Sequence, residues 1–366
     1  MQRVGIVVDG FSGGGAELCA ADIASGLAQQ GHAVDLVVLR DLNHFVPSLP
    51  PGVRVIPLRK ARAAASFWAL VQYIRRERPT ALLGNGDVVN VLLVGARAFA
   101  PARSRLVLRQ HSPLFWTLNP HEGIKTRLIP CLDRALYKRA EAVVAISSGV
   151  ARELQMLLGL QASHIRVIRP GVISPRLYRL AQEPIDLQSF FPSPDRQARV
   201  IVSAGHLIAP KGYDTLLWAL RQVRRAIDVR LLILGEGPQR GWLTALSEEL
   251  GLRGSVAMPG WVANPYPAFR AADLVVVASW WEASSRVLIE ALALGTPVVS
   301  TDCDFGPRET LQGGRLGRLV PVRDSTAMAR AILDALSEPR RPPPMADLWE
   351  YTEEEVVRRY AEVLAL

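Results

Sequence analysis

The chain has 366 residues, 49% of them hydrophobic and 21% charged, which excludes a disordered chain and is more than one ordinary core holds, so two domains are expected. Its formal charge of +9 is unevenly placed: residues 1–170 carry 21 Lys and Arg against 11 Asp and Glu, a net of +10, and the remainder carries 22 against 23, a net of −1. Cys19, Cys131 and Cys303 have no close spacing, which argues against a disulfide framework or a zinc site and fits a reducing compartment.

Residues 4–8 read as a buried strand, so no signal peptide is expected. Gly13-Gly14-Gly15 follows and opens an amphipathic helix; such glycines let backbone approach a phosphate or sugar. Leu18 stands where a dinucleotide fingerprint needs its third glycine, which disfavours a NAD-dependent dehydrogenase. Further strands are expected at 34–39, 53–56, 81–83, 106–108, 143–146 and 165–168. Between them, residues 59–78 mix Arg59, Lys60, Arg62, Arg75, Arg76 and Arg78 with Phe67, Trp68 and Tyr73. Phe67, Leu70, Val71 and Ile74 share a helical face, which suits a helix lying on a membrane and equally a helix packed on its sheet. Leu114-Phe115-Trp116 with Lys125 and Arg127 is a second membrane candidate. His111 follows the strand at 106–108, at a C-terminal strand end.

A Pro-rich linker is expected over 171–199, and a second series of strands at 200–204, 231–234, 255–258, 274–278 and 298–301. Alternating strand and helix implies parallel sheets with right-handed crossovers, and two series make two doubly wound α/β domains. Ligands of such sheets bind beyond the C-terminal strand ends. Lys211 opens the helix after the first strand of the second series, where a lysine can neutralise a diphosphate. Glu282 lies on the loop after 274–278; Glu290 lies a little over a turn into an apolar helix that Gly295-Thr296-Pro297 should stop. Two carboxylates flanking a helix N-terminus suit a ligand with hydroxyls on both sides of a phosphate. Asp302-Cys303-Asp304 is read as a loop and not as a metal site. Pro339 to Pro344 precedes a last helix over 345–366. No apolar run is long enough to span a membrane.

Glu282, seven residues, Glu290, then Gly295 and Pro297-Val298-Val299 resembles the signature of the family 4 retaining glycosyltransferases of the GT-B fold. Gly14-Gly15-Ala16-Glu17, Ala204-Gly205-His206-Leu207 with Lys211-Gly212, Leu234-Gly235-Glu236-Gly237-Pro238 and Gly306-Pro307-Arg308-Glu309 fit the same family in the same order. The sequence departs from the family where Ala283-Ser284-Ser285-Arg286 replaces Gly-Phe-Pro-Asn, and where His206 stands for the usual Arg.

The resemblance implies two Rossmann-like domains facing across a cleft: an acceptor-binding domain over 1–170, with 345–366 packing back on it, and a donor-binding domain over 200–344. It implies transfer of a sugar from a nucleoside diphosphate, with UDP the expected nucleotide, to a glycan or lipid-linked glycan hydroxyl of a bacterial cell-surface polymer. It gives Glu282 to the donor sugar, Glu290 to the ribose, Lys211 and His206 to the diphosphate, and His111 to the sugar or acceptor; Glu282, Lys211 and His111 are the expected catalytic residues. Gly14, Gly15, Glu236, Val262, Ala283, Ser284 and Leu288 complete the expected donor-binding set. No metal or other cofactor is expected. The implied location is cytoplasmic, peripheral on the inner face of the membrane. The charge of residues 1–170, read by itself, calls for an anionic partner, with nucleic acid and an anionic membrane surface as the candidates; the membrane is the one expected, and no nucleic acid. A nucleotide-sugar epimerase and a non-catalytic nucleotide-binding scaffold of the same architecture are the alternatives.

Overall fold

The structure is a computed structural model, and it describes residues 2–10, 14–40, 49–60, 62–100, 103–114, 135–192 and 198–366. Gly13, Phe115, Trp116, Lys125, Arg127 and Cys131 lie outside the described residues. In chain order the elements begin with β1 (Arg3–Val8), α1 (Gly15–Gln29), β2 (Ala33–Arg40), β3 (Val53–Lys60), α2 (Phe67–Glu77), β4 (Ala81–Asn85), α3 (Asp87–Phe99), β5 (Arg105–Gln110), β6 (Ala142–Ala145), α4 (Ser148–Leu158) and β7 (Ile165–Val167). They continue with α5 (Pro175–Leu180), β8 (Arg199–Ala204), α6 (Tyr213–Val223), β9 (Val229–Leu234), α7 (Arg240–Glu249), β10 (Val256–Gly260), α8 (Tyr266–Ala271) and β11 (Leu274–Val277). The last are α9 (Arg286–Ala293), β12 (Val298–Thr301), α10 (Pro307–Thr310), β13 (Arg318–Val320), α11 (Ser325–Ser337) and α12 (Glu353–Leu364).

The chain forms two compact units, Met1–Val172 with Glu350–Leu366, and Ile173–Trp349. Among the described residues, the first holds a parallel sheet of order β3-β2-β1-β4-β5-β6-β7 and the second one of order β10-β9-β8-β11-β12-β13. Both orders run outward in both directions from the first strand, so each sheet is doubly wound and changes direction beside it, between β1 and β4 and between β8 and β11.

In the first unit β1, β2 and β4 are buried nearly throughout, as strands covered on both faces must be. One sheet face packs on α1 and α12, through Ile23, Leu27, Val356 and Tyr360. A Cβ on Gly26 of α1 would sit 2.2 Å from Val357, so only glycine allows this approach. α2 and α3 pack side by side. The Ser147 hydroxyl caps α4, and Gly159, at φ 58°, ends it.

In the second unit Leu216, Leu217 and Leu220 of α6 and Met328 and Ile332 of α11 pack with β8, β9, β11 and β12. Burying each such side chain contributes about 1.5–3 kcal/mol. Asp324 caps α11 by accepting from the Thr326 and Ala327 amides. α9 stops at Gly295, in the left-handed region at φ 75°.

Three expectations need correction. β13 was not anticipated: three residues, Arg-Leu-Val, are too short to show a period. A single helix over 345–366 is replaced by the 3-10 turns Met345–Asp347 and Trp349–Tyr351 and then α12. Thr352 is extended (φ −73°, ψ 141°) and separates them; Glu353, Glu354 and Glu355 open α12, where acidic groups favour a helix start. The region expected as a linker carries α5 and a 3-10 turn at Leu187–Phe190.

Candidate donor site

The candidate site lies where the sheet of the second unit changes direction. After β8 the chain passes Gly205, exposed His206 and the 3-10 turn Ala209–Lys211, then enters α6 through Gly212. Backbone contacts hold this loop. A Cβ on Gly212 would lie 2.1 Å from the Ala278 carbonyl oxygen, and the Trp280 amide donates to the Pro210 carbonyl at 2.7 Å. The loop after β9 locks to it as well: the Leu207 amide donates to the Glu236 carbonyl at 2.9 Å, and a Cβ on Gly235 would lie 2.0 Å from the Gly205 oxygen. Here the glycines are required by close backbone approach.

This packing delivers Lys211 to Glu282. Lys211 Nζ donates to Glu282 Oε1 at 2.5 Å, and Ser279 Oγ donates to the same oxygen at 2.8 Å. Ser279 is fixed in turn by Thr301, whose hydroxyl donates to the Ser279 carbonyl. Both contacts fall on Oε1, so among the described residues Oε2 takes no side-chain hydrogen bond and can accept from a ligand hydroxyl. Glu282 is only 9% exposed. Desolvation offsets much of the attraction in such a pair, so its value to stability is small, whereas removing one partner strands the other charge.

Glu290 is buried on α9 and accepts from Arg286 Nε at 3.3 Å, one turn earlier. Ser285 caps α9 without a side-chain bond to the first turn. The first-turn amides therefore carry the positive end of the helix dipole. The Leu288 side chain is fully buried, so its amide is what it can offer a ligand. Ala283 and Ser284 lie on the loop between Glu282 and α9, against which Gly306 packs: a Cβ there would lie 2.9 Å from Ser284 Cα. Glu236 is exposed and paired with Arg240 at 2.5 Å, which lowers its carboxyl pKa. Val262 is half-buried after β10. Burial, with Glu282 adding to it, pushes the Cys303 thiol up to about 12, so this sulfur is a protonated thiol near neutral pH.

Gly14, Gly15 and His111 belong to the first unit. Gly14 caps α1 and its amide donates to the Glu17 carboxylate at 2.7 Å; Gly15 is the first helical residue. His111 follows β5 against Gly86, where a Cβ would lie 2.6 Å from its Nε2. Burial, then the nearby Arg109 guanidinium, push the imidazole down to about 4, so it is neutral at physiological pH. Arg109 is itself buried and donates to Asn85 Oδ1 at 2.5 Å.

Ser279, Thr301 and the Arg286–Glu290 pairing were not anticipated. A small hydroxyl directly after a buried strand is the one signal that could have found Ser279; nothing local marks Thr301, which is 22 residues away.

Two doubly wound parallel-sheet α/β domains in one chain are the architecture of the GT-B class of glycosyltransferases. The family model "Glycosyltransferase Family 4" matches residues 13–174, and "Glycosyl transferases group 1" matches 198–338. The chain belongs to the family 4 glycosyltransferases. It is 25% identical over 351 residues, 92% of the chain, to the N-acetylgalactosamine-N,N'-diacetylbacillosaminyl-diphospho-undecaprenol 4-alpha-N-acetylgalactosaminyltransferase of Campylobacter jejuni, of which the match covers 91%. It is 32% identical over 196 residues, 54% of each chain, to the lipopolysaccharide core biosynthesis glycosyltransferase LpsE of Rhizobium meliloti, so it spans about half the length of that relative. The crystal structure of Anabaena HepE in complex with UDP and glucose superposes with a TM-score of 0.76 at 20% identity, covering all of both chains.

Proposed function

We propose that the chain is a retaining glycosyltransferase that needs no metal ion. It moves a sugar from a nucleoside-diphosphate donor, with UDP as the nucleotide, to a hydroxyl of a lipid-linked or cell-surface glycan precursor at the cytoplasmic face of the membrane. The observation that carries this reading is the Lys211–Glu282 contact beside the open first turn of α9. The UDP and glucose of the HepE complex and the undecaprenol-linked substrate in the Campylobacter enzyme's name support the choice of nucleotide and acceptor.

In this reading the α9 amides and Lys211 take the diphosphate, supplying the charge that a metal supplies in other transferases. Glu290 accepts from the ribose hydroxyls, and Arg286 shifts from it toward the phosphates. Glu282 turns Oε2 to the donor sugar. The bond from the anomeric carbon to the β-phosphate oxygen breaks and its electron pair leaves with UDP. The acceptor oxygen bonds to the same face, and its proton passes to the departing phosphate. Neutral His111, in the acceptor-binding unit, positions the acceptor hydroxyl.

Incubation with a panel of UDP-sugars and an undecaprenyl-diphosphate-linked glycan, with NMR of the product, tests this. The expected result is a new linkage that keeps the donor's anomeric configuration, with added EDTA having no effect. Inverted product, or dependence on a divalent metal, contradicts it. Free epimer released without acceptor makes the chain an epimerase, and nucleotide binding without turnover makes it a scaffold.

A further inference from the structure

The outer surface formed by α2 and α3 carries three large apolar side chains, Trp68, Val88 and Phe99, that stay more than half exposed. On α3, Val88, Leu92, Gly95 and Phe99 follow one another at four-, three- and four-residue steps and make one stripe, flanked by Val91 and Ala98. This is the side turned away from the buried Val89, Leu93, Val94 and Ala96. Val88 is 56% exposed and Phe99 55%. The stripe continues onto α2. Phe67 sits against Gly95, where a Cβ would meet its ring at 3.1 Å. Phe67, Trp68 and Phe99 form an edge-to-face trio with ring centroids 5.2, 5.7 and 5.8 Å apart, and Trp68 is 63% exposed. Orphan apolar area of this kind marks an interaction surface.

Arginines surround it. Trp68, Gln72, Arg75 and Arg76 are exposed on one side of α2. Arg75 donates to the Phe99 carbonyl at 2.8 Å, which sets its guanidinium at the edge of the aromatic trio. Exposed Arg62 precedes the trio along the chain and exposed Arg103 follows it. The nearest acidic side chain on α2, Glu77, is engaged by Arg54 at 2.6 Å and by Arg3 and Arg76 at 3.5 Å each, and Arg76 stays 87% exposed beside it. The apolar stripe with its tryptophan and basic rim has the composition of an interfacial helix face. A partner that accepts apolar insertion and carries negative charge around it is a bilayer surface with acidic headgroups.

We infer that the α2–α3 face seats the protein on an anionic membrane, with Trp68, Phe99 and Val88 in the acyl-headgroup boundary and Arg62, Arg75, Arg76 and Arg103 over the phosphates. The inference does not depend on the donor-site reading, since docking is measured without transfer.

The test uses the full chain and vesicles of phosphatidylcholine alone or with 30% phosphatidylglycerol. Sedimentation should show binding to the anionic vesicles only, weakening as salt rises. Trp68→Ser with Phe99→Ser should abolish it, and each of Arg76→Ser and Arg103→Ser should weaken it about fivefold. Bromine-labelled acyl chains should quench the wild type more than Trp68→Phe. All variants should keep the wild-type melting temperature and UDP affinity, as surface changes remote from the donor site. Equal binding to neutral vesicles, binding to neither, or unchanged binding by the Trp68→Ser, Phe99→Ser chain overturns the inference. So does a concentration-dependent dimer that the same double change dissolves while vesicle binding is absent, because the face then seats a second copy.

Discussion

The two sheets share one winding pattern, yet the loops where they change direction carry different electrostatics. In the second unit, Lys211 meets Glu282 beside the open first turn of α9, so cationic groups face the place where a ligand would lie. In the first unit, the neutral His111 stands at the strand ends, and the cation beside it, Arg109, is buried and bonded to Asn85. Among the described residues, the excess charge of residues 1–170 is therefore not gathered beside His111. Much of it is carried on the outside, on α2 and on the exposed Arg59 and Lys60 that end β3. Net charge counts residues, and only the fold shows which of them face a ligand.

The largest effect separating the two ends should come from Glu282→Gln, which keeps the volume but loses the ion pair and a strong acceptor. Transfer should fall about 100-fold or more while UDP affinity stays within a few-fold, measured by turnover and calorimetry. Equal losses in both would move Glu282 from the sugar to the nucleotide. Glu290→Ala comes next, weakening UDP itself by about 1–3 kcal/mol. If UDP, GDP and ADP bound this variant as they bind wild type, the ribose role would be wrong.

The first unit should respond to pH instead. His111 binds its proton less readily when folded, at about 4 against an ordinary 6.5. Its contribution to stability is thus present above pH 6.5 and is lost as pH falls toward 4, by about 3 kcal/mol. His111→Gln should remove that part of the acid sensitivity, read as melting temperature against pH, and leave UDP affinity unchanged. An unaltered profile means another group carries the sensitivity. The smallest expected change is at His206, exposed beside the Lys211 loop. Arginine carries a permanent charge on a fork of donors, so His206→Arg should tighten UDP binding a few-fold, read by calorimetry. Unchanged affinity would place this side chain away from the diphosphate.

The strands were legible because buried parallel strands are short apolar runs between turn residues, as 4–8 and 298–301 show. β13 was missed because three residues carry no period, and the tail was over-extended because the extended Thr352 breaks it with an ordinary side chain. Family motifs named Lys211 and Glu282, but not that they touch across 71 residues of sequence. Long-range contacts of that kind come from sheet winding, which local spacing does not encode. The exposed stripe on α3 was illegible for another reason. Periodicity reveals that a helix has an apolar face, and only the packed structure shows that Val88 and Phe99 stay more than half exposed.

Hydrogen exchange with and without UDP addresses the central claim most directly, namely that the turning point of the second unit holds the nucleotide. Amides at 205–212 and 284–290 should exchange more slowly when UDP is bound, while those at 86–90 and 108–111 keep their rates. Protection at the first unit's strand ends, with none at 284–290, would contradict the account.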